Sequence, residues 1–182
     1  MNRFYTSVEM PEGLPRFSGR ERLLLMGSCF ATNIGTRLVE AKFACDVNPY
    51  GVLYNPMSIS AALREALEGK VYRTDDLQAY GGLWHSPMHH GDFSAPTAEE
   101  ALERINTRLE ALREELKGLD VLVATWGTAW VYEDAQTGRI VGNCHKRPER
   151  CFRRRRLTVE EVTDDWSDLF GRLRAANPRL RV

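Results

Sequence analysis

Three small residues, Gly27-Ser28-Cys29, stand between an apolar run, 22–26 (RLLLM), and a segment of helical spacing that starts near residue 31. A serine at a strand-to-helix turn exposes its hydroxyl above the sheet. Its own N–H then lies near a helix N-terminus and can stabilise an oxyanion. That arrangement suits a nucleophile in acyl transfer. The same position also suits a helix cap, because serine accepts from the free N–H groups of a first turn. The α/β-hydrolase elbow G-x-S-x-G is not present, since the residues read Met26-Gly27-Ser28-Cys29-Phe30. Cys29 is a rival nucleophile, as a helix N-terminus lowers a thiol pKa. The commoner fate of a free cysteine is that of a small buried apolar group.

Two further clusters carry polar chemistry. His85, His89 and His90 lie in an aromatic-rich stretch. His85 and His89 have i,i+4 spacing, but Pro87 lies between them and no H-E-x-x-H pattern accompanies them. Neither a metal nor a cofactor is expected, and a substrate-facing loop is the better use of these side chains. Asn143-Cys144-His145-Lys146 is compact and polar, with His145 a candidate base and Asn143 a candidate oxyanion donor. An exposed loop is the alternative reading. Cys144, His145 and Cys151 do not match zinc spacing.

These residues need a scaffold, and the hydrophobic pattern supplies one. Residues 22–26 suit a buried strand, and Ala31, Ile34, Leu38, Val39 and Ala41 mark a helix. Segment 43–55 suits a brief strand and then a loop. Asn55-Pro56 opens a second helix and Gly69 ends it. Residues 70–96 read as a long irregular insertion. Thr97 with Glu100 forms a capping-box pattern before a helix to about Lys117. The run 120–128 (DVLVATWGT) is the strongest strand, with the apolar character of a doubly covered parallel sheet. Residues 129–142 read as a hairpin around Thr137-Gly138. Thr158 with Glu161 caps a last helix, Asn177-Pro178 breaks it, and 179–182 (RLRV) begins another strand. Strands alternating with helices predict an α/β fold with a mostly parallel sheet, whose sites lie at the carboxyl ends of the strands.

Composition sets the outer limits. With 182 residues, 43% hydrophobic and 27% charged, the chain suits one globular domain. Basic and acidic residues balance, 25 against 25, which argues against a general nucleic-acid coat. Segment 146–156 (KRPERCFRRRR) departs from that balance, with seven basic residues and one acidic. It reads as a solvated stretch leading into the last helix, with an anionic-polymer site as the alternative. No segment nears the roughly 20 apolar residues that span a bilayer, so no membrane partner is expected. The N-terminus lacks the apolar core of a signal peptide. Four cysteines are too few for a disulfide scaffold, which points to free thiols and the cytoplasm.

At Gly27-Ser28-Cys29-Phe30-Ala31 the chain resembles the bacterial GSCFA-domain family. Further blocks extend the resemblance over nearly the whole chain. They are 48–56 (NPYGVLYNP), 84–94 (WHSPMHHGDFS), 127–132 (GTAWVY), 142–146 (GNCHK) and 154–161 (RRRLTVEE). The resemblance implies an SGNH/GDSL-like hydrolase, a three-layer α/β/α sandwich with a flavodoxin-like parallel sheet, and Ser28 as nucleophile. It implies oxyanion donors from the Ser28 N–H and Gly51, with Asn143 standing in for an Asn that 127–130 (GTAW) lacks. His90 and Thr128 are then substrate contacts, and the substrate is a small-molecule or glycan ester. The superfamily takes its Asp and His from a late D-x-x-H block, and no histidine follows His145, so His145 or His90 would have to stand in as base. The expectation is a domain that lacks its C-terminal strands and could self-associate through an unpaired sheet edge. A catalytically incomplete binding domain on the same fold is the alternative.

Overall fold

The computed structural model describes residues 8–14 and 16–182. The absence of a signal peptide, read largely from residues 1–17, falls in part outside the described residues.

Strand β1 (Arg22–Gly27) is the centre of the molecule. Leu23, Leu24, Leu25 and Met26 are all buried, as a strand covered on both faces requires. Side chains alternate across a strand, so this run feeds two cores. Leu23 and Leu25 pack with Ala31, Leu38 and Phe43 around helix α1 (Cys29–Glu40). Leu24 and Met26 join the larger core on the other face. That core is built by helices α2 (Pro56–Glu68), α3 (Ala98–Gly118) and α4 (Val159–Ala176). Burying one such leucine or methionine contributes about 1.5–3 kcal/mol. The expected α/β layering is therefore present: one helix, a parallel sheet, then three helices.

β1 pairs in parallel with β2 (Ala44–Val47) on one side and, further along the chain, with Val121–Thr125 on the other. Residues 179–182 behave as a strand start, with Arg181 bridging Val121 in parallel and the Leu122 N–H donating to the Arg181 carbonyl at 2.9 Å. The sheet order is the second strand, the first, Val121–Thr125, then Arg181.

The caps follow the residues expected of them. Asn55 Oδ1 accepts from the Ser58 N–H at 2.8 Å, and Thr97 Oγ1 accepts from the Glu100 N–H at 3.2 Å. Thr158 and Glu161 form a reciprocal box.

Two segments differ from the expectation. The insertion 70–96 holds a hairpin, β3 (Gln78–Tyr80) with β4 (Leu83–His85), turned by Gly81-Gly82. Three-residue strands are too short for alternation to register in sequence. With Val121–Thr125 as β5, the expected hairpin at 129–142 is β6 (Trp130–Asp134) with β7 (Ile140–Val141). The arginine run, read as a solvated stretch, is instead strand β8 (Phe152–Arg156), paired antiparallel with β6. Two of its charges are met by a buried acid: Arg155 Nε and Arg153 Nε donate to Glu133, the latter at 2.9 Å. The guanidiniums of Arg155 and Arg153 hold the Glu133 carboxyl below its usual pKa.

Candidate active site

Ser28 follows β1 directly, at the carboxyl end of the central strand. It is the N-cap of α1, and its Oγ accepts from the Phe30 N–H at 3.2 Å. The turn is tight because residue 27 is glycine. Gly27 has φ +148, and a Cβ there would lie 2.0 Å from Thr125 Oγ1 and 2.4 Å from the Thr125 carbonyl oxygen. Only a residue without a side chain lets β1 and β5 end this close together. Asn48 holds the same turn from the other side. Its Oδ1 accepts from the Gly27 N–H at 2.8 Å and its Nδ2 donates to Thr32 Oγ1 at 2.8 Å. The Leu53 N–H donates to the Gly27 carbonyl at 3.0 Å, so loop 48–54 lies across the end of β1.

Next to Ser28 lies the loop that follows β5. A Cβ on Gly127 would sit 3.6 Å from Ser28 Cβ and 3.5 Å from the Tyr54 ring. The Gly127 and Thr128 N–H groups both donate to the Tyr54 carbonyl, at 2.8 and 3.1 Å. The Gly51 N–H is likewise engaged, donating to the Asn48 carbonyl at 2.7 Å. Gly51 matters here through its missing side chain, since a Cβ would meet His90 Cβ at 2.2 Å. One of the expected oxyanion donors, the Asn143 side-chain amide, has no acceptor among the described residues, whereas the pairing of Gly27 with Thr125 turns the Ser28 N–H toward the Thr125 carbonyl. Asn143 Oδ1 accepts from the His145 N–H at 2.8 Å.

The four histidines separate by environment. His89 is buried, stacks on Tyr50 at 4.1 Å and meets Ser86 Oγ at 2.8 Å. Burial pushes its pKa down to about 3, so the ring is neutral and belongs to the core. His85 has both ring nitrogens engaged, by Ser94 Oγ at 2.6 Å and the Tyr80 carbonyl at 3.0 Å. His145 stacks on His85 at 4.4 Å and its Nε2 meets the Ser86 carbonyl at 2.8 Å. Burial lowers its pKa too. His90 is half-buried and backs onto Gly51, with its N–H donating to the Tyr50 carbonyl at 2.8 Å. Its Nδ1 pairs with Asp92 Oδ2 at 2.9 Å, which requires the proton on Nδ1. In the other tautomer the same nitrogen accepts from the Asp92 N–H at 3.4 Å.

The loops of these histidines pack together through main-chain bonds. The Gly142 and Asn143 N–H groups donate to the Pro87 carbonyl at 2.8 and 3.0 Å. Loop 142–146 thus rests on the insertion, and the insertion rests through His90 on loop 48–54. No group of three or more His, Cys, Asp or Glu is placed to hold a metal among the described residues. Sequence reasoning passed over Asn48, which braces the turn, and Asp92, which faces His90. Asn48 has φ +48, a conformation that asparagine tolerates better than most residues.

A family model, the GSCFA family, matches residues 22–182. The chain belongs to the GSCFA family. The match begins at the first residue of β1 and covers Ser28 and every loop described above. No curated protein matches this GSCFA chain, and no solved structure does.

Proposed function

We propose that this GSCFA protein is a serine hydrolase of SGNH type acting on an ester or similar acyl bond, with Ser28 as nucleophile. The observation that carries the reading is Ser28 at the end of the central parallel strand and at the N-terminus of α1. Sites of open α/β sheets lie at such strand ends. Ser28 Oγ attacks the acyl carbonyl and its proton passes to an imidazole. The resulting oxyanion takes a hydrogen bond from the Asn143 amide. Collapse expels the alcohol, which takes the proton back, and water then releases the acid from the acyl-enzyme by the same steps.

Of the two histidines outside the core with an open ring nitrogen, we assign the base to His90. Asp92 on Nδ1 leaves Nε2 as the basic nitrogen, the orientation a triad requires. His145, the base expected from sequence, has its Nε2 on the Ser86 carbonyl and serves to hold Asn143. Gly51 acts by letting His90 approach, and Thr128 borders the substrate. The substrate is a small-molecule or glycan ester. Four free cysteines suit a reducing compartment, and we place the protein in the cytoplasm on that ground. No helix among the described residues is long and apolar enough to cross a membrane. The outer edge of β2 is where a second copy would pair.

The test is hydrolysis of a small acetyl ester. Ser28→Ala should abolish turnover, and His90→Ala should lower it at least a hundredfold. Loss in His145→Ala with full activity in His90→Ala would move the base to His145. Turnover undiminished in Ser28→Ala would refute the nucleophile. The second reading, a binding domain without catalysis, is favoured by the Phe30 N–H bond to Ser28 Oγ. It predicts no turnover by any version of the chain.

A further inference from the structure

We propose that the outer face of the β6–β8 sheet is a binding platform for an acidic polysaccharide, the chain from which Ser28 would remove acyl groups. The substrate half of this inference rests on the hydrolase reading; the binding half does not.

The register of β6 against β8 sets Trp130 opposite Arg156 and Tyr132 opposite Arg154, and directly opposed residues share a face. This face is open at Trp130 and Tyr132, 42% and 40% exposed, and closes at its far end, where Asp134 and Val141 are buried. The solvent side of an antiparallel sheet is ordinarily polar, so two large exposed rings on it call for a reason. The arginines are equally unusual. Arg153 and Arg155 are matched by Glu133 on the other face. Arg154 and Arg156 meet no carboxylate among the described residues. Arg154 lies over the Trp130 ring at 4.2 Å and near Tyr132 at 6.0 Å. Stacking fixes the guanidinium and leaves its N–H fork without an acceptor among the described residues, ready for a carboxylate. Arg154 and Arg156 are two residues apart on one strand, hence roughly 7 Å apart along it.

The platform begins beside the candidate nucleophile. Gly127 abuts Ser28, and Trp130 lies three residues further on, at most about 11 Å of extended chain. A polymer on the face would therefore lie within reach of Ser28.

Charge and shape select the occupant. Two unpaired arginines call for an anion. A protein partner that covered them without carboxylates would leave buried charges unmatched, at high cost. A nucleic acid is drawn by an extended positive field, and this chain carries no net charge. A uronate-bearing polysaccharide presents spaced carboxylates to the guanidiniums and apolar C–H ring faces to the aromatics.

The experiment measures binding by full-length Ser28→Ala protein, which cannot turn over ester. The ligands are hexagalacturonate, neutral maltohexaose and a six-nucleotide DNA. Hexagalacturonate should bind, at least tenfold tighter than maltohexaose. The double variant Arg154→Gln/Arg156→Gln, made in the same background, should lose at least tenfold with an unchanged melting curve. The same double substitution in the wild-type chain should leave small-ester hydrolysis as it was. Equal binding of the two sugars, or no loss in the double variant, overturns the platform. Tighter binding of the DNA overturns it in favour of a nucleic acid, and a dimer abolished by the double substitution overturns it in favour of a second copy. Small-ester turnover that persists in Ser28→Ala would refute the hydrolase reading alone, because the binding comparison still reports on the platform.

Discussion

The parallel sheet around β1 and the antiparallel sheet around β6 are joined at Gly127–Trp130, yet they treat their side chains differently. After the exposed Arg22, β1 has apolar residues covered on both faces, and it ends in the Ser28 turn. β6 buries Val131 and Glu133 on one face and leaves Trp130 and Tyr132 open on the other. The first sheet holds its end turn tightly, because packing and the Asn48 brace leave no space for a side chain at Gly27. The second can change its outer face freely, because little folding energy depends on it. Positioning and presentation are thus separated in the fold, and substitutions should separate them too.

The largest effect is expected at Gly27. Gly27→Ala drives a Cβ into Thr125 at a φ that alanine rarely adopts, and should cost about 4 kcal/mol in a denaturant melt. Leu24→Ala opens a cavity on the main core face and should cost about 3 kcal/mol. Asn48→Ala leaves the Gly27 N–H without its acceptor. It should cost about 2 kcal/mol and lower ester turnover more than stability alone explains.

The next effect is one of pH. The unfolded His89 takes up a proton below about pH 6.5, whereas the folded ring refuses it until about 3. Stability is therefore full above pH 6.5 and falls with acidification through that window. The slope from this group is at most about 1.4 kcal/mol per pH unit. His145 shifts in the same direction. Acid melts of His89→Phe should be shallower than wild type between those limits; an identical slope would show that His89 is not buried as described. The smallest effect belongs to the outer face of β6. Tyr132→Ala should change stability by about 0.5 kcal/mol, the scale of one cross-strand pair. A cost near that of Leu24→Ala would erase the contrast between the sheets.

Much of the positioning half was legible in the residues. RLLLM declares a strand buried on both faces, and Asn55, Thr97 and Thr158 announce their helices because caps are local chemistry. The small-residue turn marks Ser28 for the same reason. The presenting half was harder to read. Arg153–Arg156 carries no apolar alternation, since the inward partner of β8 is a charged Glu133 from 20 residues earlier. The β3–β4 hairpin is too short to show a period. Among the site residues, Ser28 needed only its neighbours. The tethering of His145 to Ser86 depends on how two loops fold against each other, and the pairing of His90 with Asp92 on a single turn at 90–93 that the pattern does not mark. α1 shows the limit of pattern alone: Ala31 is buried as expected, while Ile34 and Val39 on the same helix are exposed.

The most direct test of the central claim is covalent labelling by a fluorophosphonate probe, followed by peptide mass spectrometry. The account predicts a single adduct on Ser28, lost in Ser28→Ala and slowed in His90→Ala. An adduct that forms equally well in Ser28→Ala, or no adduct at all on the native chain, would contradict it.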